Sequence, residues 1–342
     1  METTNQNDTK AARGKKARRS RRWPWVLVGI GIVLLAAVLL IPVILSSKGF
    51  TRWVQAKIST STGGQADIRD LSVGWLRGVQ IAGFSFRGEN GWTEVDIGRI
   101  TAMPHYASLL TGTLALGRTV IDQPRVAIDL RAQPASSSKS QAMDLSELRR
   151  IGEVIVRDGS LQLTDVAGKT VQLASLNSDL SIRPLGHPSN FTAQMVVGTA
   201  QKPGRVAVVA EATPNKKTGW SLKGTTGDVT VDVNDLNLDS VAPFLELVGV
   251  QVQARGQVSG SIKSTIQDGQ IQTVNAAIAG QDLNITGEAL QGDRLQTSKL
   301  NVRANLTQSD NVIHVNQLDV RTDWATVSAT GRVPKTPGSL RL

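Results

Sequence analysis

Two hydrophobic patterns divide this chain. From Trp23 to Leu45 the sequence is apolar without interruption by a charge, and beyond it apolar and polar residues alternate. Alternation at period two is the mark of a strand with one buried and one wetted face. Leu300, Val302, Ala304 and Leu306 alternate with Asn301, Arg303 and Asn305. Val250, Val252, Ala254, Gly256 and Val258 alternate with Gln251, Gln253, Arg255 and Gln257. Val126, Ile128 and Leu130 do the same after Pro124, as do Val229, Val231 and Val233. Val79 and Ile81 lead through Ala82-Gly83 into Phe84 and Phe86, where the parity changes, so a bulge is expected there.

Turn residues recur at Asp158-Gly159, Ala167-Gly168, Lys202-Pro203-Gly204, Asn215 to Gly219, Asp268-Gly269 and Gln291-Gly292-Asp293. About 16 to 20 short strands are predicted, reaching roughly 75 to 95 Å if they stack in one ladder. Helices are expected to be few: Ser47 to Ser59, Pro104 to Leu110, a turn capped by Asp144, and Val241 to Leu247 capped by Asp239.

The apolar stretch is long enough to cross a bilayer. At 1.5 Å per residue, residues 23–45 make a helix of about 34 Å against a hydrocarbon core of roughly 30 Å. It is longer than a signal-peptide core and lacks a small-x-small cleavage site. Residues 1–22 hold eight Lys/Arg and two acids, a net +6 of the chain's +10. Arg18, Arg19, Arg21 and Arg22 therefore set the topology, with the N-terminus cytoplasmic and everything after Leu45 beyond the membrane. Trp23 and Trp25 at one interface and Phe50 and Trp53 at the other are the expected aromatic anchors. A tail without aromatic residues or a folded motif predicts attraction to anionic lipid and no nucleic-acid partner.

Composition narrows the fold and the chemistry. The chain has 342 residues, 40% hydrophobic but only 4% aromatic, with one Tyr and no Cys. Disulfides, thiol nucleophiles and cysteine-ligated zinc are excluded. Sheets that face each other interlock through large side chains, whereas Val, Leu, Ile, Ala and Gly suit a smooth apolar trough. The three histidines, His105, His187 and His314, lie far apart without a metal-site spacing. Ser136 and Lys139 match S-x-x-K, but in a Ser-rich stretch with no helix to hold them. Asp228, Asp232, Asp235 and Asp239 lack the ligand order and central Gly of a calcium loop and read as solvated carboxylates. No catalytic, metal or cofactor site is predicted, and the chain is read as a non-enzyme.

The segment Ala66 to Arg131 resembles the AsmA-like family of bacterial envelope proteins, the AsmA and TamB type. The residues that carry the likeness follow the Trp23–Leu45 span. They are the run from Ala66 to Trp75, the run from Gly78 to Phe86, and Ser108-Leu109-Leu110-Thr111-Gly112-Thr113-Leu114-Ala115-Leu116 leading to Asp122-Gln123-Pro124-Arg125-Val126 and on to Leu130. A looser likeness extends through Ala254 to Gly260 and Val327 to Val333. The resemblance implies an elongated antiparallel β-sheet curled into an open groove, similar to chorein-type bridge-like lipid-transfer proteins. It also implies an inner face that meets acyl chains. The chain, which runs out through Pro334-Lys335-Thr336-Pro337-Gly338 to Leu342 without a terminal cap, reads as a short member or one truncated at its C-terminus.

These readings combine into one expectation. Residues 1–22 form a disordered basic tail, 23–45 a transmembrane helix, 46–133 an N-terminal AsmA-like β segment, 134–142 a Ser-rich linker, and 143–342 a continuing β-groove. The chain sits in the bacterial inner membrane as a single-pass protein with its bulk in the periplasm. It moves phospholipid between envelope membranes without a covalent step, the acyl chains lying against Val79, Ile81, Phe84, Phe86, Val126, Ile128, Leu130, Val302 and Leu306. The expected partners are phospholipid acyl chains, the inner membrane, and an outer-membrane or envelope protein at the distal end. The alternative is an assembly factor for outer-membrane proteins that works through exposed sheet edges.

Overall fold

The computed structural model describes residues 45–88, 91–104, 116–132, 151–164, 168, 170–199, 202–217, 219, 221, 223–241, 252–287, 293–309 and 312–334. They belong to one compact unit, Leu45–Leu342. The basic tail, nearly all of the apolar span and the linker at 134–142 lie outside them, as do the helices expected at 104–110 and after Asp144. So do Arg18, Arg19, Arg21, Arg22, Trp23, Trp25, His105, Ser136 and Lys139. Among the described residues no helix is long and apolar enough to cross a membrane.

Alternation produces a single open, curled sheet of fourteen strands in sequence order. The first four are β1 (Gln65–Gly74), β2 (Gly78–Arg87), β3 (Thr93–Pro104) and β4 (Leu116–Asp129). There follow β5 (Ile151–Thr164), β6 (Thr170–Ser181), β7 (Ser189–Thr199), β8 (Lys202–Thr213) and β9 (Thr226–Asn237). The last five are β10 (Val252–Gln267), β11 (Gln270–Gly287), β12 (Arg294–Ser309), β13 (Val312–Thr322) and β14 (Thr326–Pro334). At about 4.8 Å between neighbours, the ladder is roughly 60 Å from first to last strand.

The strands are fewer and longer than expected because several turn signals fall inside them. Asp158-Gly159 is a break in the register of β5, not a turn. Lys202-Pro203-Gly204 begins β8, paired with Thr199, Gly198 and Val197; Pro203 is tolerated so close to a strand start, where a missing amide costs least. Asp268-Gly269 is the expected hairpin turn, with φ of 52° and 72°.

One pairing departs from the antiparallel expectation. β4 and β5 run parallel, with Leu116 opposite Ile151 and Asp129 opposite Thr164. A parallel pair needs a crossover connection, and residues 130–150 supply it. The sheet passes through this junction unbroken, so the linker does not divide it into two pieces. Leu130, expected on a strand, instead opens a 3-10 turn at Leu130–Ala132. The Asp129 carboxylate folds over that turn, with Oδ1 accepting from the Arg131 amide at 3.0 Å and Oδ2 from its guanidinium at 2.6 Å.

A file of left-handed residues crosses several strands: Gly83, Gln123, Asp158, Ser175, Asp235 and Asp282, with φ between 49° and 65°. Each shifts the side-chain parity of its strand, as a bulge does. The expected bulge at Gly83 is present at φ 65°, and a Cβ there would lie 3.1 Å from Arg69. Asp and Asn-like side chains tolerate this region better than bulky residues do, and Asp158 and Asp235 are also held locally. The amide of Asp158 donates to Asn177 Oδ1 at 3.1 Å, and that of Asp235 to Ser259 Oγ at 2.8 Å.

The two sheet edges differ. Helix α1 (Lys48–Thr62) is capped by Ser47, whose side chain accepts from the Phe50 amide, and ends at Gly63 in the left-handed region. It runs antiparallel to β1 and occupies its free edge. Ser46 Oγ accepts from the Val73 amide at 2.8 Å, Gln55 Nε2 donates to Ile68 O at 3.3 Å, and the Ala66 amide donates to Ser59 Oγ at 3.0 Å. Such cover blunts an edge that would otherwise pair with another chain. β14 forms the opposite edge, and eight of its nine residues are exposed. Asn237 caps a 3-10 turn at Leu238–Ser240, its side chain accepting from the Asp239 amide at 3.0 Å, while residues 242–247 of the helix expected after Asp239 lie outside the described residues.

The β13–β14 turn is tied to β12 through Asp323. Its carboxylate accepts from Thr297 Oγ1 at 2.6 Å, Ser298 Oγ at 2.8 Å and the Ser298 amide at 3.2 Å. These hydrogen bonds, Thr297 first, lower its pKa from 3.8 to about 2. A folded pKa below the unfolded one stabilises above the unfolded value and is lost as pH falls through the folded value. Wild type should therefore exceed Asp323→Asn in melting temperature by a constant margin above about pH 4, with the margin closing as pH approaches 2. A margin that persists unchanged to pH 2 would rule out the carboxylate as its source.

Candidate functional site

Residues paired across neighbouring strands share a face of the sheet, so the register traces each face from edge to edge. Leu71, Ile81, Ile100, Ile121 and Val156 are successive partners on β1 to β5. The same row continues through Ser178, Ala193, Val208, Val231 and Ile262. It ends through Ala276, Ala304, Leu318 and Ala329 on β14. Thirteen of these fourteen side chains are hydrocarbon.

A second row runs parallel to the first. It links Val73, Val79, Ala102, Thr119, Val154, Leu180 and Phe191. It then passes through Ala210, Val229, Ser264, Val274, Leu306, Val315 and Gly331. Shorter rows flank these two. Ala66, Phe86, Val95, Val126, Leu161, Leu173 and Val197 lie beyond the file of left-handed residues. Met195, Val206, Val233, Gly260, Ile278, Val302, Val320 and Val327 cover the second half. No Asp, Glu, Lys or Arg stands in any of the four rows.

The row between the first two faces the other way and is mostly polar. It reads Ser72, Gln80, Thr101, Val120, Ile155, Asp179, Thr192, Val209, Thr230, Lys263, Asn275, Asn305 and Gln317. Asn305 Nδ2 donates to Asn275 Oδ1 at 2.6 Å, and Asn316 Nδ2 to Asn305 Oδ1 at 2.7 Å, a ladder across three strands. Ion pairs join paired strand residues, as between Arg87 and Glu94 at 2.9 Å and Arg118 and Glu153 at 3.4 Å. Their exposure makes each worth little; they keep this face wet.

The apolar face is only half covered. Every buried hydrophobic residue among those described lies on it: Ile68, Leu71, Ala102, Leu163, Val171, Ala193, Val197 and Leu283. The described residues hold one sheet, and no second layer among them faces it. Most other positions in the rows keep partial exposure, and Ile262 and Val327 are 38% and 53% exposed. An apolar area of this extent left open to water marks a surface that meets something apolar.

Eight of the nine expected groove residues stand on this face. Ile81 is in the first row, Val79 and Leu306 in the second, Phe86 and Val126 in the third, and Val302 in the fourth. Phe84 pairs with Ile68 and Ile97, and Ile128 with Leu163, on the same side. Leu130 lies just past the end of β4, in the 3-10 turn, and is half-buried. Leu161, Leu163, Leu173, Phe191, Val208 and Val231 belong to the face as well. Their alternation was visible in the sequence, and reversing the parity after each left-handed residue would have assigned them.

The other singled-out residues do not converge. His187 sits in an exposed turn and His314 Nε2 lies 3.0 Å from Ser309 Oγ. Asp235 accepts from Ser259 Oγ at 3.3 Å and Asp239 lies 3.8 Å from Arg255 Nε. Phe50 and Trp53 stack in α1 with centroids 5.5 Å apart, Trp53 being 60% exposed.

A family model described as YhdP protein matches residues 11–341, so the chain belongs to the YhdP family. No curated protein matched the chain.

Proposed function

We propose that this YhdP-family chain carries phospholipid along its uncharged sheet face, moving it between envelope membranes without a covalent step. The carrying observation is a pair of apolar rows free of charge from β1 to β14 in a sheet that nothing among the described residues closes. Each methylene removed from water is worth about 0.8 kcal/mol. An acyl chain therefore gains free energy for each methylene that the curled face shields from water, while its headgroup stays in water at the open side. Because the rows continue from strand to strand, a chain can slide without meeting a charged barrier.

The family and the open sheet support the reading, as does the sequence likeness to AsmA and TamB type envelope proteins. In this reading residues 23–45 span the bacterial inner membrane, Arg18, Arg19, Arg21 and Arg22 hold the N-terminus in the cytoplasm, and the sheet stands in the periplasm. Trp23, Trp25, Phe50 and Trp53 sit at the two interfaces.

The exposed edge of β14 favours a second reading, in which the chain assembles outer-membrane proteins by adding a strand to that edge. Native mass spectrometry of the full chain, extracted gently from membranes, separates the two. Several phospholipids per chain are expected; a stoichiometric protein partner with no lipid would favour the assembly role.

A further inference from the structure

We propose that the β1–β2 hairpin tip is a second membrane contact, docking with the start of α1 onto an anionic lipid surface. The tip comprises Trp75, Leu76 and Arg77, between the end of β1 and the start of β2. Turns of this kind favour Gly, Asn, Asp and Ser, yet here Trp75 is 37% exposed and Leu76 91% exposed. No packing need of the sheet accounts for a leucine held so fully in water.

The fold gathers more of the same chemistry at this end. Ser46 is bonded to the Val73 amide at 2.8 Å, which sets the start of α1 beside the tip. Phe50 follows four residues later, about 6 Å along the helix, and stacks on Trp53, which lies nearer Gln55 and its bond to Ile68. Met103, 40% exposed, is there too, since a Cβ on Gly78 would lie 3.1 Å from its Cα.

Charge identifies the occupant. The half of α1 nearer the tip and the residues before it, 45–54, carry Lys48 and Arg52 and no acid, and residues 71–86 carry Arg77 and no acid. Trp at the headgroup level, an aliphatic residue beyond it and cations around both match the interface of an anionic bilayer. In sequence, the uncharged stretch ends at Leu45, one residue before the serine that holds the tip. Two contacts at one end would stop β1 from pivoting about a single tether and hold the start of the apolar face at the lipid surface. The proposal uses the membrane tether described above and is independent of lipid transfer.

The absence of native cysteine allows one probe at one site. The full chain with Leu76→Cys, labelled with an environment-sensitive fluorophore, is reconstituted into phosphatidylcholine vesicles with and without phosphatidylglycerol. A parallel chain carries the label at Thr330→Cys, on the exposed edge of β14. In phosphatidylglycerol vesicles the Leu76 label should be blue-shifted and quenched by nitroxide lipid, while the Thr330 label is quenched by aqueous iodide. Arg77→Glu in the labelled chain, or omission of phosphatidylglycerol, should lower the ratio of docked to free tip by about fivefold. A chain that floats with the vesicles while its Leu76 label stays as wet as the Thr330 label overturns the tip contact and leaves the tether standing. Protection from iodide without nitroxide quenching overturns it in favour of a protein contact. A chain that does not float overturns tether and tip together.

Discussion

Val231→Asp should strip phospholipid from the purified chain, lowering the bound amount roughly a hundredfold, while Thr230→Asp leaves it near wild type. The two positions are adjacent in β9 but face opposite ways. Val231 lies between Val208 and Ile262 in the uncharged row, and Thr230 between Val209 and Lys263 in the polar one. A carboxylate on the apolar side must either shed its water against hydrocarbon or hold a lipid chain away, and several kcal/mol is the scale of that penalty. Without lipid the same carboxylate remains partly hydrated, because the face is open, so the fold should survive. Lipid quantification by mass spectrometry, with circular dichroism as the check on folding, provides the measurement. Equal loss in both variants would mean that the face is no more a lipid surface than its reverse.

The second large effect falls on stability. Leu163→Ala should cost about 2 to 5 kcal/mol, a substantial part of the roughly 5 to 15 kcal/mol that holds a typical domain. Leu163 is fully buried and lies between Ile128 of β4 and Val171 of β6. It therefore seals the parallel junction, where the chain joins its first four strands to the remaining ten. Removing three methyl-sized groups there leaves a cavity that paired strands cannot collapse into without breaking register. Leu318→Ala, at a half-exposed position of the apolar face, leaves no closed cavity and should cost much less. Urea titrations of the two variants compare them directly; similar midpoints would show that burial on this sheet is uniform and that the junction has no special weight.

Legibility in the sequence followed the range of the interactions involved. The strands around Val126, Val229 and Leu300 were readable because alternation is imposed by the pleat within a few residues. The bulge at Gly83 was readable because the parity break falls on a glycine flanked by apolar pairs. The equivalent breaks at Gln123, Asp158, Ser175 and Asp282 were not: a left-handed Asp beside Gly has the same composition as a turn, and Asp158-Gly159 was read as one. The end of β4 was read one residue too far for a related reason: the alternation runs on to Leu130, but Asp129 forms hydrogen bonds with Arg131 in the turn that starts there. The parallel pairing of β4 and β5 left no local trace, since the same alternating strand can be paired in either direction.

By itself the amino-acid order determined that one flank of every strand would be oily and the other wet, that the aromatic content would be low, and that the stretch from Trp23 to Leu45 would carry no charge. These are properties of single residues and near neighbours. Only the tertiary structure decided that fourteen oily flanks align into unbroken rows, that no second sheet among the described residues covers them, and that helix α1 occupies one edge while β14, with eight of nine residues exposed, forms the other. Alignment depends on interstrand register, and register is a cooperative outcome of all the hydrogen bonds and bulges in the sheet, which no single segment encodes.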